Sequence, residues 1–93
     1  WVNPAKASEL TRSGAQVLDV RTEEEFEEAA IKGALNIPLL NLRDRIDELD
    51  RMRSVIVYCN TGERSAAAAF ILGKVGFTAF ALQGGLAAMM KQR

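Results

Sequence analysis

Short apolar runs alternate with polar or amphipathic segments along the whole chain. The clearest apolar run is 54–59 (SVIVYC), which is continuous, rich in β-branched residues and preceded by charged side chains. A run of this kind is typical of a central strand that is buried on both faces of a parallel sheet. Three weaker runs predict further strands at 16–20 (QVLDV), 33–38 (GALNIP) and 78–82 (TAFAL).

Helix signals stand between these predicted strands. Asn3 followed by Pro4 predicts a helix over 4–13, because asparagine is a common N-cap and proline suits the first helical turn. Thr22, with Glu25 three residues later, forms a capping box that begins an acidic second helix. The remaining predicted helices are one capped by Asn41 with Leu42, Ile46 and Leu49 on one face, an alanine-rich one over 65–75, and a short one over 86–91.

Strands and helices that alternate at these short spacings predict an α/β fold. We expect a small three-layer domain, in which a parallel sheet of about five short strands carries helices on both faces. The 93 residues suffice for one domain, 1–93, which would bury roughly two-thirds of its unfolded surface. The chain contains neither a repeat nor a low-complexity segment that would indicate a second unit.

Composition excludes several function classes. Twelve acidic residues balance 12 lysines and arginines, so no net charge attracts nucleic acid or an anionic membrane, and we expect neither as a partner. No apolar run approaches the ~20 residues of a membrane span. The absence of histidine excludes Ser-His-Asp and Cys-His catalysis and every histidine-ligated metal site. The single cysteine cannot form an internal disulfide and suits a reducing compartment, which predicts a cytoplasmic protein.

Cys59 is the strongest candidate for chemistry. It ends the clearest strand, and ligands of parallel α/β sheets bind beyond the carboxyl ends of the strands. The loop after it leads straight into a helix, so backbone N–H groups and the helix N-terminus would form a cradle for an anion around the thiol. The helix end and the nearby Arg64 would lower the pKa of the thiol, and a decrease of about two units makes thiolate the majority form at neutral pH. Such a cysteine is a nucleophile that needs no histidine base.

A lone cysteine at the end of a strand is also commonly a small buried hydrophobic residue. The composition of 60–65 (NTGERS) favours the site, because this loop is too polar to continue the core. Arg64 stands at the start of a helix, where its charge opposes the helix dipole, and a bound anion would explain it better than solvent does. Ser65 has two interpretations, a helix-capping residue or a hydroxyl directed at the anion.

Four segments of the chain resemble the sequence signatures of one family, the rhodanese-like domains. Their active-site loop has a cysteine and an arginine separated by four residues, as in this chain. All four segments occur in the family's order and together extend over nearly the whole sequence, which makes the joint resemblance specific. The segments are 59–65 (CNTGERS), 19–21 (DVR) followed by 25–26 (EF), 31–38 (IKGALNIP) and 82–85 (LQGG).

This resemblance implies a sulfurtransferase. Family members move a sulfane sulfur from thiosulfate or a persulfide donor to a thiol or cyanide acceptor, through a persulfide on the cysteine. By resemblance Cys59 is the catalytic nucleophile, Asp19 and Arg21 support the loop, and neither a metal nor an organic cofactor is needed. The expected partners are a small sulfur donor and an acceptor, either cyanide or a thiol on a small molecule or a protein. The substrate-binding cradle would comprise Asn60, Thr61, Gly62, Glu63, Arg64 and Ser65.

The sequence departs from the family pattern at three places. Ala30 replaces a histidine of the second signature, and Met89 and Met90 stand where the family often has a tryptophan. Glu63 adds a carboxylate to the loop, where it would oppose a dianionic donor and partly offset Arg64. We therefore predict that thiosulfate is a mediocre substrate and that a low-molecular-weight or protein persulfide is the natural donor.

Two other functions stay open. Dual-specificity cell-cycle phosphatases share this fold and a cysteine-to-arginine loop, but their loop holds one residue more, which suits a tetrahedral phosphate. Some rhodanese-like domains are regulatory or binding modules without turnover, and these commonly lack the cysteine that this chain retains. The acidic stretch 23–28 (EEEFEE) is expected to be a solvated helix face.

Overall fold

A parallel sheet organises the computed structural model, which describes residues 1–91. Its strands run in the order β2-β1-β3-β4, and each neighbouring pair is parallel. The central strand β3 is buried at every position, as its continuous apolar pattern predicts. The last two residues of the predicted domain 1–93 lie outside the described part. The bounds are β1 (Gln16–Asp19), β2 (Leu35–Asn36), β3 (Val55–Tyr58) and β4 (Ala79–Ala81).

Within residues 1–91, four α-helices surround this sheet. Two of the predicted caps are present: the Asn3 side chain accepts from the Lys6 N–H at 2.8 Å, and Thr22 and Glu25 form the reciprocal capping box. No helix in this part of the chain is long and apolar enough to cross a membrane. The helices are α1 (Pro4–Arg12), α2 (Glu23–Glu28), α3 (Glu63–Lys74) and α4 (Gly85–Lys91).

Separate apolar clusters cover the two faces of the sheet, so the molecule has the predicted three layers. Because side chains alternate along a strand, neighbouring residues of β3 enter different clusters. The cluster under α3 includes Leu18, Val55, Val57, Ala68 and Leu72. The cluster under α1 and α4 includes Ala7, Ile56, Tyr58, Leu82 and Leu86.

In the described part of the chain the sheet has four strands rather than about five. Beside β4, residues 1–91 add only an isolated bridge between Val2 and Leu82. The Val2 N–H donates to the Ala81 carbonyl at 2.9 Å, and the Val2 carbonyl accepts from the Gln83 N–H at 2.7 Å. Asn3 follows at once as the N-cap of α1, so the backbone turns away before a fifth strand can form.

The predicted third helix is wrong in type. Two 3₁₀ segments, Leu39–Asn41 and Arg43–Glu48, replace an α-helix, and Asn41 ends the first of them instead of capping a helix. The Asn41 N–H bonds to the Pro38 carbonyl three residues back, which closes the tighter 3₁₀ turn. Arg45 interrupts the second segment with φ −116° and ψ 16°. The apolar positions Leu42 and Leu49 are nevertheless buried, so tertiary packing keeps the predicted face and changes the helix type.

The order of the strands brings the predicted motifs together. β1 and β3 are neighbours, with Asp19 paired to Tyr58, so the loops that follow them leave the sheet at the same edge. β4 lies on the other side of β3, and the turn 82–85 follows it at that edge. α3 begins at Glu63 rather than at residue 65, so Glu63 and Arg64 belong to its first turn.

Candidate active site

The thiol of Cys59 lies at the start of the loop between β3 and α3, and only 2% of this residue is exposed. The Gly62 N–H donates to Sγ at 3.0 Å, and the Ser65 hydroxyl lies 3.7 Å from Sγ. Ser65 is fully buried and donates its hydroxyl to the Gly62 carbonyl at 2.9 Å. The loop therefore wraps around the sulfur, directs the Gly62 N–H at it and places the Ser65 hydroxyl oxygen beside it.

Gly62 has the backbone conformation that allows this wrapping. Its φ is +132°, a value that residues with a side chain rarely adopt, and it precedes the first residue of α3. A Cβ at this position would lie 3.2 Å from the ring of Trp1. The indole of Trp1 thus rests on the loop while 65% of the residue stays exposed, which places an aromatic side chain at the rim of the site.

Two opposing effects set the pKa of Cys59. Burial is the largest and raises it, because desolvation disfavours the thiolate. Hydrogen bonding by the N–H and the hydroxyl of Ser65, and by the N–H groups of Gly62 and Arg64, lowers it. The balance leaves the pKa below the ordinary value of a thiol. The main activating groups are therefore backbone amides and one hydroxyl at the start of α3.

Arg64 directs its guanidinium at Glu25 of α2. Nη1 donates to Oε1 at 2.8 Å and Nη2 donates to Oε2 at 3.0 Å, a bidentate ion pair. The guanidinium, followed by the N–H of Thr22, holds the pKa of Glu25 far below its usual range. The prediction of a solvated face for 23–28 is therefore wrong for Glu25, whereas the other four acidic residues of this helix are exposed.

Asn60 connects this ion pair to a second one. Its Nδ2 donates to Oε2 of Glu25 at 2.8 Å, and its Oδ1 accepts from Nη1 of Arg21 at 3.2 Å. The Arg21 guanidinium in turn donates to Asp19, with Nη2 and Oδ2 2.7 Å apart. One continuous network of side chains therefore runs from the end of β1, through the loop, to α2 and α3.

Asp19 and Arg21 are almost fully buried, so their charges depend on complete pairing. Asp19 accepts from the Arg21 N–H at 2.8 Å as well as from the guanidinium. Arg21 also donates to the Ala29 carbonyl and lies 5.5 Å from the centre of the Tyr58 ring. Asp19 first of all raises the pKa of Arg21, which keeps the guanidinium charged. The pair supports the loop from the neighbouring strand.

The turn 82–85 packs directly on the backbone of the reactive loop. The Leu86 N–H donates to the Cys59 carbonyl at 2.8 Å. Gly85 has φ +60°, and a Cβ there would lie 2.5 Å from the Asn60 carbonyl oxygen and closer still to that of Cys59. Only glycine therefore allows the two segments to approach this closely.

The sequence and the fold match one known family. The sequence model of the family described as "Rhodanese-like domain" matches residues 3–92. The chain belongs to the rhodanese-like family. Among solved structures, a rhodanese-related protein from Thermoplasma volcanium has a TM-score of 0.90 at 32% identity, covering 98% of this chain and 90% of that one. The predicted family and the predicted α/β fold are thereby confirmed.

Curated relatives of this rhodanese-like domain include two sulfurtransferases. The thiosulfate sulfurtransferase PspE of Escherichia coli (strain K12) is 39% identical over 71 residues, which are 74% of this chain and 68% of PspE. The thiosulfate sulfurtransferase GlpE of Ectopseudomonas mendocina (strain ymp) is 34% identical over 85 residues, which are 90% of this chain and 78% of GlpE. The chain spans only 57% and 33% of the lengths of two other curated relatives. The domain is thus related to rhodanese-type sulfurtransferases.

The structure divides the predicted rhodanese cradle into three groups. Gly62 and Ser65 contact the sulfur, Asn60 and Arg64 contact α2, and Thr61 and Glu63 are exposed. Local sequence patterns do not predict the contacts that Trp1, Glu25 and Gly85 make with the loop. The contact of Glu25 with the loop could have been predicted from the topology, because α2 follows β1 at the same edge of the sheet where the Cys59 loop begins. The other two contacts depend on how the chain ends fold back, which no local pattern encodes.

Ala30, which replaces the histidine of the family's second signature, precedes a residue whose backbone is held by a hydrogen bond. The Ile31 N–H donates to the hydroxyl oxygen of Tyr58 at 3.0 Å. Tyr58 is buried, and burial is the main cause that raises its pKa to about 12, so its hydroxyl stays neutral. The segment before β2 is thereby tied to the end of β3 without a histidine.

Proposed function

We propose that the domain 1–93 is a rhodanese-type sulfurtransferase that moves a sulfane sulfur through a persulfide on Cys59. The observation that carries the proposal is the buried Cys59 thiol, which accepts the Gly62 N–H at 3.0 Å beside the start of α3. Kinship with two thiosulfate sulfurtransferases supports it. The reaction needs neither a metal nor an organic cofactor, because the cysteine sulfur is the nucleophile and carries the transferred sulfur atom as a persulfide.

In the first half-reaction the Cys59 thiolate attacks the outer sulfur of the donor. With thiosulfate, a bond forms between Sγ and the sulfane sulfur, the S–S bond of thiosulfate breaks, and sulfite leaves with the electron pair. The products are a persulfide anion and sulfite, so total charge is conserved and no external oxidant or reductant takes part. Attack requires the deprotonated thiol, and the lowered pKa of Cys59 favours that form.

In the second half-reaction the acceptor attacks the terminal sulfur of the persulfide. The bond between that sulfur and Sγ breaks, and Cys59 returns to the thiolate. Cyanide yields thiocyanate, and a thiolate acceptor yields a new persulfide. The donors that stabilise the thiolate, above all the N–H groups of Ser65, Gly62 and Arg64, are suited to hold the persulfide charge as well.

The remaining predicted site residues receive distinct roles in this proposal. Asn60 and Arg64 hold the loop through Glu25, while Asp19 and Arg21 fix its other side. Thr61 and Glu63 are the exposed members of the donor-binding loop. Together with Gly62 and Ser65 at the sulfur, these residues form the cradle.

An apolar cleft beside Arg64 bears on the choice of partner. It has a volume of about 240 Å³, and Leu40 on its wall is 96% exposed. An inorganic ion gains little from such a surface, whereas the organic part of a thiol or persulfide can pack on it. We infer a small-molecule or protein thiol as the acceptor, in a reducing compartment such as the cytoplasm. The lining residues are Val20, Thr22, Pro38, Leu39, Leu40 and Arg64.

The intact mass of the reduced protein tests the proposal, after exposure to thiosulfate and, separately, to glutathione persulfide. We expect the gain of one sulfur atom, which dithiothreitol reverses. Because Cys59 is the single cysteine, Cys59→Ala is a clean control and should gain nothing.

Absence of a mass gain with both donors would contradict the proposal and support a binding module without turnover. Hydrolysis of an aryl phosphate in place of sulfur uptake would instead indicate a phosphatase. The four residues between Cys59 and Arg64 favour the sulfurtransferase over that outcome.

A further inference from the structure

The positive charge of Arg64 is already balanced within the domain. Its two terminal nitrogens both bind the Glu25 carboxylate, at 2.8 and 3.0 Å. Glu25 belongs to a different helix, and the bidentate geometry fixes both side chains relative to one another. An incoming anion therefore does not meet a free guanidinium at this position.

Glu25 is itself held by further donors. It accepts from the Thr22 N–H at 2.9 Å within the capping box and from Nδ2 of Asn60 at 2.8 Å. About a quarter of its side chain is exposed, 28%, so solvent screens it less than it screens a fully exposed carboxylate. The carboxylate is consequently a fixed part of the site.

The other guanidinium of the site is also balanced, since Arg21 pairs with the buried Asp19. These four charged side chains add up to no net charge, and the exposed Glu63 adds one negative charge. A donor anion is therefore attracted mainly by the backbone N–H groups around Cys59. Those groups suit one negative charge on sulfur, and among the side chains that the structure describes at the site, a second charge on the donor has no unbalanced cation to meet.

We propose that Glu25 determines the donor specificity of this site: by neutralising Arg64 it favours monoanionic sulfane donors, R–S–S⁻ or R–SO₂–S⁻, over the thiosulfate dianion. Glu25 is a positioning residue, because it acts on the donor through Arg64 and Asn60. The inference rests on the proposed sulfurtransferase function and specifies its substrate class. The effect of Glu25 can be distinguished from an effect of Glu63, because Glu63 is exposed and added salt should screen its charge.

Thiosulfate and methanethiosulfonate are a matched pair of donors for the test. Both carry a terminal sulfane sulfur on a sulfonyl centre, and they differ by one negative charge. In both, the Cys59 thiolate bonds to that sulfur, the S–S bond breaks, and sulfite or methanesulfinate leaves with the electron pair. The two reactions therefore give the same persulfide, and their ratio reports mainly how the site treats the extra charge.

The experiment compares the wild type with Glu25→Gln, and uses Glu24→Gln, an exposed position of the same helix, as the control. Glutamine keeps the capping box but leaves Arg64 without its counter-charge. With cyanide as acceptor, we expect the ratio of kcat/KM for thiosulfate to that for methanethiosulfonate to rise at least about threefold in Glu25→Gln. The ratio should stay at the wild-type value in Glu24→Gln.

An unchanged or lower ratio in Glu25→Gln would overturn the inference, and an equal loss with both donors would show that Glu25 only holds the loop. A second measurement does not depend on turnover: protection of Cys59 from iodoacetamide by sulfate and by methanesulfonate, which also differ by one charge. Glu25→Gln should strengthen protection by sulfate relative to methanesulfonate. If the wild type takes sulfur from neither donor, the proposed function fails, and the protection ratio alone decides about Glu25.

Discussion

The substitution Gly85→Ala tests how tightly the turn after β4 holds the reactive loop. Gly85 has φ +60°, and the adjacent Leu86 N–H donates to the Cys59 carbonyl at 2.8 Å. A Cβ at residue 85 would lie 2.5 Å from the Asn60 carbonyl oxygen, much closer than the 3.4–4 Å of an ordinary contact. It would lie closer still to the Cys59 carbonyl oxygen. These contacts are with backbone atoms, so either the turn or the loop must move.

Three effects set the size of the expected loss. Alanine at positive φ costs about 1–2 kcal/mol. Overpacking adds about 1–3 kcal/mol, and the weakened hydrogen bond to Cys59 adds about 1 kcal/mol. The free energy of unfolding should therefore fall by about 3–6 kcal/mol, a large share of the total of about 5–15 kcal/mol that is usual for a domain. Sulfur uptake should slow at least about tenfold, because a shift of the Cys59 backbone takes Sγ away from the Gly62 N–H.

The matched control is Gly33→Ala. Gly33 also has a positive φ, +85°, but a Cβ there would meet nothing within 4 Å, so this variant carries the conformational cost alone. Urea unfolding of the three proteins measures the stabilities, and intact mass over time measures sulfur uptake. A difference between the two variants below about 1 kcal/mol, or wild-type sulfur uptake by Gly85→Ala, would refute the steric reasoning.

Four further substitutions probe the thiol and its surroundings. Alkylation of Cys59 by iodoacetamide should have a lower pH midpoint in the folded protein than in the protein unfolded in urea, because the fold lowers the pKa of the thiol, and Ser65→Ala should raise the folded midpoint. Because the folded-state pKa of Cys59 is lowered, its thiolate should increase the free energy of unfolding as pH rises toward the unfolded-state pKa. That contribution should be lost as pH falls through the folded-state pKa, and urea unfolding of the wild type and Cys59→Ser measures it. Tyr58→Phe leaves the Ile31 N–H without its partner and should lower the free energy of unfolding by about 1–2 kcal/mol. Since the pKa of Tyr58 is raised from 10.0 to about 12, the wild type should also lose stability across that pH range more steeply than the variant. Glu63→Gln should lower the apparent KM for thiosulfate in steady-state assays at low salt, and an unchanged value there would contradict the reasoning.

Local patterns predict most of the fold. The continuous, β-branched run 54–59 predicts a central strand, and the structure has the central strand β3 there. Its side chains enter both apolar clusters, which is why the strand is apolar at every position. The capping box of Thr22 and Glu25 places the start of α2 correctly because both of its hydrogen bonds are local. Signals that act within four or five residues therefore transfer directly from sequence to structure.

The predicted helix capped by Asn41, which the structure replaces with two 3₁₀ segments, shows the limit of local patterns. The spacing of Leu42, Ile46 and Leu49 fits an α-helix, and two of these three residues are indeed buried. Pro38 and the break at Arg45 leave room only for short 3₁₀ segments. Apolar spacing thus predicted which side chains face the core but not how the backbone presents them.

The sequence predicts which residues lie near one another at the site but not which of them form hydrogen bonds and ion pairs. Parallel-sheet geometry is sufficient to place the ends of β1 and β3 at one edge, which groups Asp19 with Cys59. The ion pair of Glu25 and Arg64 joins residues 39 positions apart, and the capping box already gave Glu25 a complete local explanation. A residue that satisfies one local pattern can still have its main partner elsewhere.

The surroundings of Cys59 affect its thiolate in opposite directions. Burial disfavours the charge, and the N–H groups that outweigh burial point at the sulfur because Gly62 adopts φ +132° and α3 begins at the next residue. Backbone amides survive almost every substitution, so side chains influence the thiol largely by moving that backbone. Glu25 and Gly85, which fix the loop from two other elements, should therefore control reactivity as strongly as residues inside it. In a chain without histidine, activation of the nucleophile then depends on the fold rather than on one neighbouring base.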